Sequence, residues 1–265
     1  MKALITGASS GIGRDIARKA AKYYDKIVLV GRNEKRLNEL KTELENKYHT
    51  EITAVATDLS IQQNCIDLFN AHKDVHLLVN NAGFGDTGRF NETSLEKDTD
   101  MINTNILAMH TLMKLYLGEM KKKNRGHILN TASMAGFFPG PLMATYYASK
   151  AYVVSLSQAI REELRREGSA VTVSVLCPGP VSTNFGKSAN VDFHFEGFAS
   201  TSEYIADYTF RHFRKFYIIP KAEMKAAHVL SKILPASFSA SVLYSIHNRK
   251  IKSPAENTVS TENEK

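Results

Sequence analysis

Short, nearly continuous apolar runs alternate along the chain with longer stretches in which apolar residues recur every three or four positions. The runs Lys2–Thr6, Lys26–Val30, Glu51–Ala56, Val75–Val79, Gly126–Thr131 and Ala170–Leu176 predict strands of the fully buried type. Between them, Ile16, Ala17, Ala20 and Ala21 share one face of a helix that starts at Gly13, and Asn33–Tyr48 is a charged amphipathic helix. Further helices are predicted over about 95–120 and 146–166. Strands alternating with helices at this spacing predict an α/β fold, a doubly wound parallel sheet with helices on both faces. The chain contains no internal repeat.

Beyond residue 183 the pattern loosens. Residues 184–220 are expected to form a substrate lid, because Phe185–Phe198 is aromatic, contains glycine and has no clear period. Ser200-Thr-Ser-Glu203 is a capping box that would start a helix, and Phe216–Ile219 is the expected last strand. Residues 221–252 are expected to be a helical C-terminal segment. Ala222–Leu234 has one apolar face and ends before Pro235, and Phe238–Ile246 is more apolar than a solvated tail. That stretch packs against the body or a second subunit, or it seats on a membrane surface. Ser253–Lys265 is polar and charged, so disorder is expected there. The organisation is one domain, 1–252, with a C-terminal substrate-lid extension and a tail.

Composition narrows the function classes. A chain of 265 residues, 43% apolar and 23% charged, buries a full core in one α/β unit. Cys65 and Cys177 are far apart and form no metal spacing or disulfide framework, which suits a reducing compartment. The chain enters a strand at once, with no apolar leader and no window long enough to span a bilayer, so a cytoplasmic protein is expected. A net charge of +7 and a pI near 9.2 fit nucleic acid, an anionic surface or an anionic cofactor. The basic residues are dispersed, apart from the Lys121–Arg125 run in a turn, so nucleic acid is not expected. The nine histidines show no ligand spacing, and no metal is expected.

Candidate chemistry gathers where strands end. After the first strand, Gly7, Ser9, Ser10, Gly11, Ile12 and Gly13 form a glycine turn leading into a helix, where the backbone can approach a pyrophosphate. The second strand ends in Gly31-Arg32, where an NAD-selecting fold places a carboxylate; a guanidinium there favours the 2′-phosphate of NADP(H), or is merely a solvated turn residue. Asp58, beside Leu59, meets an adenine amino group or caps the next helix. Asn81, Ala82 and Gly83 lie close to a cofactor or shape a turn. Pro178 and Gly179 make a rigid strand exit from which Val181 and Thr183 reach a nicotinamide amide. Tyr146 and Lys150 lie one helical turn apart, with Ser133 at the exit of the fifth predicted strand. A phenol whose pKa is lowered by an ammonium, beside a hydroxyl that holds a substrate oxygen, is equipment for moving a proton on and off oxygen. The accompanying hydride must come from a cofactor. Asn105, inside a predicted helix, disturbs it and holds a water behind the lysine.

Taken in order, TGASSGIG at 6–13, NNAG at 80–83, Asn105, SMAG from Ser133, YYASK at 146–150 and PGPVST at 178–183 resemble the short-chain dehydrogenase/reductase family over about two thirds of the chain. The resemblance implies a Rossmann-like fold with Tyr146 as general acid/base. It implies that Lys150 lowers the tyrosine pKa and binds the nicotinamide ribose, that Ser133 orients the substrate, and that Asn105 supports a water-linked proton relay. It also implies a homodimer or homotetramer packed through the helices at 95–120 and 146–166. The Gly31-Arg32 pair resembles the NADP-preferring members, although Ser10 stands where many of them carry a basic residue. The expected activity is NADP(H)-dependent reduction of an apolar carbonyl or oxidation of the alcohol. The alternatives are a 3-oxoacyl-type reductase and a non-catalytic NADPH-binding sensor or scaffold.

Overall fold

Alternation along the strands decides how the layers form. In β1 (Lys2–Thr6), Leu4 joins the core on one face of the sheet, while Ala3 and Ile5 join the core on the other. In β2 (Lys26–Gly31), Val28 and Val30 oppose Ile27 and Leu29 in the same way. A strand apolar on both sides is stable only inside a sandwich of helices. The structure, a computed structural model, describes residues 1–183 and 199–248. The expected lid phenylalanines 185, 193, 195 and 198 and the tail 253–265 lie outside the described residues.

The remaining strands are β3 (Glu51–Ala56), β4 (Leu77–Asn80), β5 (His127–Thr131), β6 (Thr172–Leu176), β7 (Val181–Ser182), β8 (Ser200–Thr201) and β9 (Tyr217–Ile218). Seven of them form one parallel sheet in the order β3-β2-β1-β4-β5-β6-β9, and β7 pairs with β8. The helices are α1 (Gly11–Ala20), α2 (Glu34–Tyr48), α3 (Gln62–Ala71), α4 (Leu95–Ile102), α5 (Met109–Lys122), α6 (Ala144–Arg166), α7 (Ser202–Arg211), α8 (Ala222–Leu230) and α9 (Ala236–Asn248). The doubly wound, Rossmann-like architecture expected from the sequence is present. Because the strands are parallel, all their C-terminal ends open on one edge. The chain order reverses between β1 and β4, which leaves a crevice there.

Several local expectations shift. The helix foreseen over 95–120 is α4 and α5 joined by a π turn, Asn103–Ala108, which contains Asn105. The capping box moves by one residue. Ser200 is committed to β8, its N–H donating to the Pro180 carbonyl, so Thr201 caps α7 and accepts from Tyr204 N at 3.2 Å. The stretch 199–220 belongs to the body, since α7 buries Ile205 and Ala206 in the core and β9 extends the sheet. The helix expected to reach Leu234 stops at Leu230.

One buried amide ties the sheet to the helix that carries the candidate tyrosine. Asn130, fully buried on β5, accepts from Asn80 Nδ2 of β4 at 2.9 Å and donates to Ser157 Oγ of α6 at 2.8 Å. Asn130→Ala leaves Asn80 Nδ2 without its partner in the core and removes the donor to Ser157 Oγ, which keeps its own bond to the Val153 carbonyl. Its urea unfolding free energy is expected to fall by about 3 kcal/mol. A loss below about 1 kcal/mol would show that these bonds do not hold α6 in register.

Candidate active site

The turn after β1 is built by close approach. Gly7 and Gly11 have φ of +66° and +53°, which glycine adopts at least cost. A Cβ on Gly7 would lie 2.8 Å from Asn81 Nδ2, and one on Gly13 would lie 2.4 Å from the Gly7 carbonyl oxygen. Thr6 Oγ1 accepts from the backbone N–H of Asn81 (2.9 Å) and Ala82 (3.0 Å), while Asn81 Nδ2 donates to the Thr6 carbonyl at 3.2 Å. The exits of β1 and β4 are therefore locked together. Ser10, at the start of α1, makes no side-chain cap, and the first turn of α1 carries no acidic residue.

These exits open into a cavity of about 820 Å³. Its wall includes Gly7, Ser9, Ser10, Gly11 and Ile12 from the turn, with Arg32, Asp58 and Leu59 at one end. Asn81, Ala82, Gly83, Ser133, Tyr146, Lys150, Pro178, Gly179, Val181 and Thr183 complete the sequence-derived set. Gly13 and Asn105 lie outside the wall. Gly13 supports the turn from beneath, because its lack of a side chain lets α1 approach Gly7 and Asn81. Asp58 does not cap α3, whose N-cap is Ile61; it accepts from Ser60 N at 2.9 Å and closes a local turn at the cavity edge.

Asn105 bonds the main chain at the β4 exit and a hydroxyl of α6. Its Oδ1 accepts from Phe84 N (3.0 Å), and its Nδ2 donates to Phe84 O (2.8 Å) and Ser149 Oγ (3.1 Å). The π turn thus joins the β4 exit to α6 one residue before Lys150. Lys150 donates to the Thr131 carbonyl at 3.1 Å, and a Cβ on Gly83 would come within 3.4 Å of its ammonium and 2.8 Å of Asn105 Oδ1. Ser133 Oγ accepts from Ala135 N at 3.1 Å and is hydrogen-bonded to Tyr146.

Electrostatics depart from the expectation that the lysine lowers the phenol. Burial pushes Tyr146 up to about 12, the bond with Ser133 acting the other way. Burial also pulls Lys150 down to about 8, with Cys177 acting the other way. The ammonium lies 5.7 Å from the centre of the Tyr146 ring. Desolvation penalises phenolate and ammonium alike, and it is the largest cause of both shifts.

The wall residues absent from the sequence-derived set include three groups. Arg36 stands one turn beyond Arg32, and Asn33 between them caps α2 by accepting from Arg36 N at 2.9 Å. The Arg-x-x-x-Arg spacing was the available signal. Leu243, Ile246 and His247 enter from α9. Tyr147 joins them, its hydroxyl 3.1 Å from His247 Nε2, while His247 Nδ1 donates to the Pro141 carbonyl at 2.8 Å. No spacing links positions 100 residues apart. Phe84 and Met143 add apolar wall. A second cavity of about 610 Å³ lies between α1, α2 and α7, away from the strand exits. In its lining Arg18 pairs with Asp15 and Glu43, and Lys19 pairs with Asp207 just outside it.

The short chain dehydrogenase family model matches residues 1–192. An uncharacterized oxidoreductase of Staphylococcus epidermidis is 37% identical over 185 residues, 68% of this chain and 78% of the relative. The very-long-chain 3-oxoacyl-CoA reductase of Macaca fascicularis is 32% identical over 197 residues, 70% of this chain but 61% of that protein. A short-chain dehydrogenase/reductase from Burkholderia phymatum, solved in complex with NAD, superposes with a TM-score of 0.79 at 28% identity, covering 96% of this chain and 97% of that one.

The buried lysine has a measurable signature. Its ordinary value is 10.5, so between pH 8 and 10.5 the unfolded chain holds a proton that the folded one has lost, and stability rises with pH. Below about 8 the full penalty of the buried ammonium is present. Lys150→Met removes this dependence. Urea midpoints should show wild type gaining on the variant by up to about 3 kcal/mol as pH is raised across that window. Parallel curves would refute a depressed Lys150.

Proposed function

The chain belongs to the short-chain dehydrogenase/reductase family, and on that premise we propose an NADP(H)-dependent enzyme that moves a hydride between nicotinamide and the carbonyl or secondary alcohol of an apolar substrate. That the chain is an oxidoreductase of CH–OH groups follows from the family itself. The finer reading rests on one observation: Ser133, Tyr146 and Lys150 wall the same cavity as the glycine turn and the Arg32–Arg36 pair. The glycine turn would hold a pyrophosphate, and Arg32 with Arg36 a 2′-phosphate, through charge-assisted hydrogen bonds. The bound cofactor supplies the hydride.

The chain's own residues handle the proton. Ser133 holds the substrate oxygen beside the Tyr146 hydroxyl. In reduction the phenol donates its proton as charge builds on that oxygen, and burial keeps it in the neutral form the step needs. In oxidation the phenol must first be ionised, so the rate of alcohol oxidation rises with pH. Lys150 supports the phenolate once it forms and, as the resemblance implies, holds the ribose. Asn105 fixes the backbone around Lys150. Phe84, Met143, Leu243 and Ile246 favour an apolar substrate. Similarity to the very-long-chain 3-oxoacyl-CoA reductases supports a second reading, in which the carbonyl belongs to an acyl thioester. Self-association through α4–α5 and α6 is part of the proposal, with Leu95 and Ile102 exposed on α4.

Tyr146→Phe is expected to lower kcat by about 10³-fold or more while NADPH binding by fluorescence titration stays unchanged. Retained turnover would move the acid/base role elsewhere. Arg32→Ala with Arg36→Ala should raise KM for NADPH by at least about tenfold and leave KM for NADH nearly unaltered. Because the Burkholderia relative was solved with NAD, the decisive comparison is turnover with both cofactors over aliphatic ketones, bulky cyclic ketones and 3-oxoacyl thioesters. Better use of NADH would overturn the assignment to Arg32 and Arg36. Cofactor binding without turnover on any of them would favour the non-catalytic sensor.

A further inference from the structure

The C-terminal segment that carries α8 and α9 is unlike the rest of the described surface. The described chain exposes fourteen large apolar side chains, and seven of them fall between Val229 and Ile246. They are Val229, Leu230, Ile233 (75% exposed), Phe238 (54%), Val242, Tyr244 and Ile246. Helix α8 buries no residue, and α9 buries only Ser239 and His247. On α9, Phe238, Val242 and Ile246 follow one another at four-residue spacing, which places them in a stripe along one face. Ile246 also lines the cavity, so the stripe runs to the mouth of the proposed active site. Apolar surface concentrated in this way marks a binding face.

Charge decides between occupants. Between 221 and 248 the described residues carry Lys221, Lys225 and Lys232 against one acid, Glu223. A second copy docked here about a two-fold axis would set these cations against their own images. An anionic lipid surface meets both the cations and the apolar stripe. Among the described residues no helix is long and apolar enough to cross a membrane, so the segment would lie on the surface. We propose that α8–α9 seats on an anionic membrane, with the Phe238–Val242–Ile246 stripe in the lipid and the cavity mouth opening toward it. An apolar substrate dissolved in the bilayer then reaches Tyr146 without crossing water. The seating itself does not depend on the catalytic assignment.

The test is co-sedimentation of the full chain with vesicles of phosphatidylcholine alone, or mixed equally with phosphatidylglycerol. Wild type is expected to pellet with the anionic vesicles and stay in the supernatant with the neutral ones. Lys225→Glu with Lys232→Glu, and separately Ile233→Glu with Phe238→Glu, should each weaken partition by about tenfold or more. All four positions are exposed and lie outside the cavity wall, so Tm and NADPH binding should match wild type and certify the fold. Wild type remaining in the supernatant with anionic vesicles would overturn the proposal, as would folded variants that partition as well as wild type. Sedimentation velocity without vesicles addresses the second copy: a lower mass for Ile233→Glu with Phe238→Glu would assign the patch to a contact between chains, and the proposal would fail.

Discussion

The exits of β1 and β4 approach so closely that Gly7 and Gly13 have no room for a side chain. Gly7 meets Asn81 and Ala82, Gly13 meets the Gly7 carbonyl, and Thr6 Oγ1 takes two backbone N–H groups from the neighbouring exit. This contact fixes the start of α1 over the crevice, where the helix has no side-chain cap and no acidic residue in its first turn. A helix N-terminus presented in that way is ready for an anion. The far wall is set by the same logic one strand over, where Asn130 ties β4, β5 and α6 into a single register. Tyr146 and Lys150 ride on α6, so their positions relative to the glycine turn follow from these two buried polar contacts.

The candidate proton-transfer groups sit where water is scarce, and burial shapes both. It holds the phenol protonated and discourages the ammonium. Each shift opposes charge, and each is reduced when an opposite charge or a hydrogen-bond partner comes within reach. A pair in this state responds strongly to whatever enters the cavity. Asn105 keeps the arrangement rigid from behind: an asparagine spliced into the α4–α5 helix through a π turn bonds the backbone at Phe84 and the hydroxyl of Ser149. A regular helix at that point would carry the amide to a different angle.

Helix α9 walls the cavity although it lies outside the family-model match. His247 reaches back to Tyr147 and to the Pro141 carbonyl, and Leu243 and Ile246 close the apolar end of the cavity. The rest of α8–α9 remains largely exposed. One segment therefore walls the cavity and presents exposed apolar side chains beside it.

Much of this was legible in residue order. Continuous apolar runs announced strands buried on both faces, and the helices between them announced parallel crossovers, because only that topology covers such strands. The glycine turn, Arg32, Ser133, Tyr146, Lys150 and the Pro178–Thr183 exit could be placed at one edge of the sheet because strand direction is shared. Three things were not legible. The π turn at Asn105 exists because side-chain bonds to Phe84 and Ser149 compete with the regular helical ladder, and those partners are brought close only by folding. The raised phenol and lowered lysine depend on how much water the surrounding elements exclude, which no spacing records. The joining of α9 to Tyr147 pairs residues 100 positions apart. Sequence by itself determined the periodicities and the local chemistry of each strand exit. Tertiary structure decided which distant groups share a cavity and what desolvation does to their charges, because burial and through-space contact are properties of the packed chain alone.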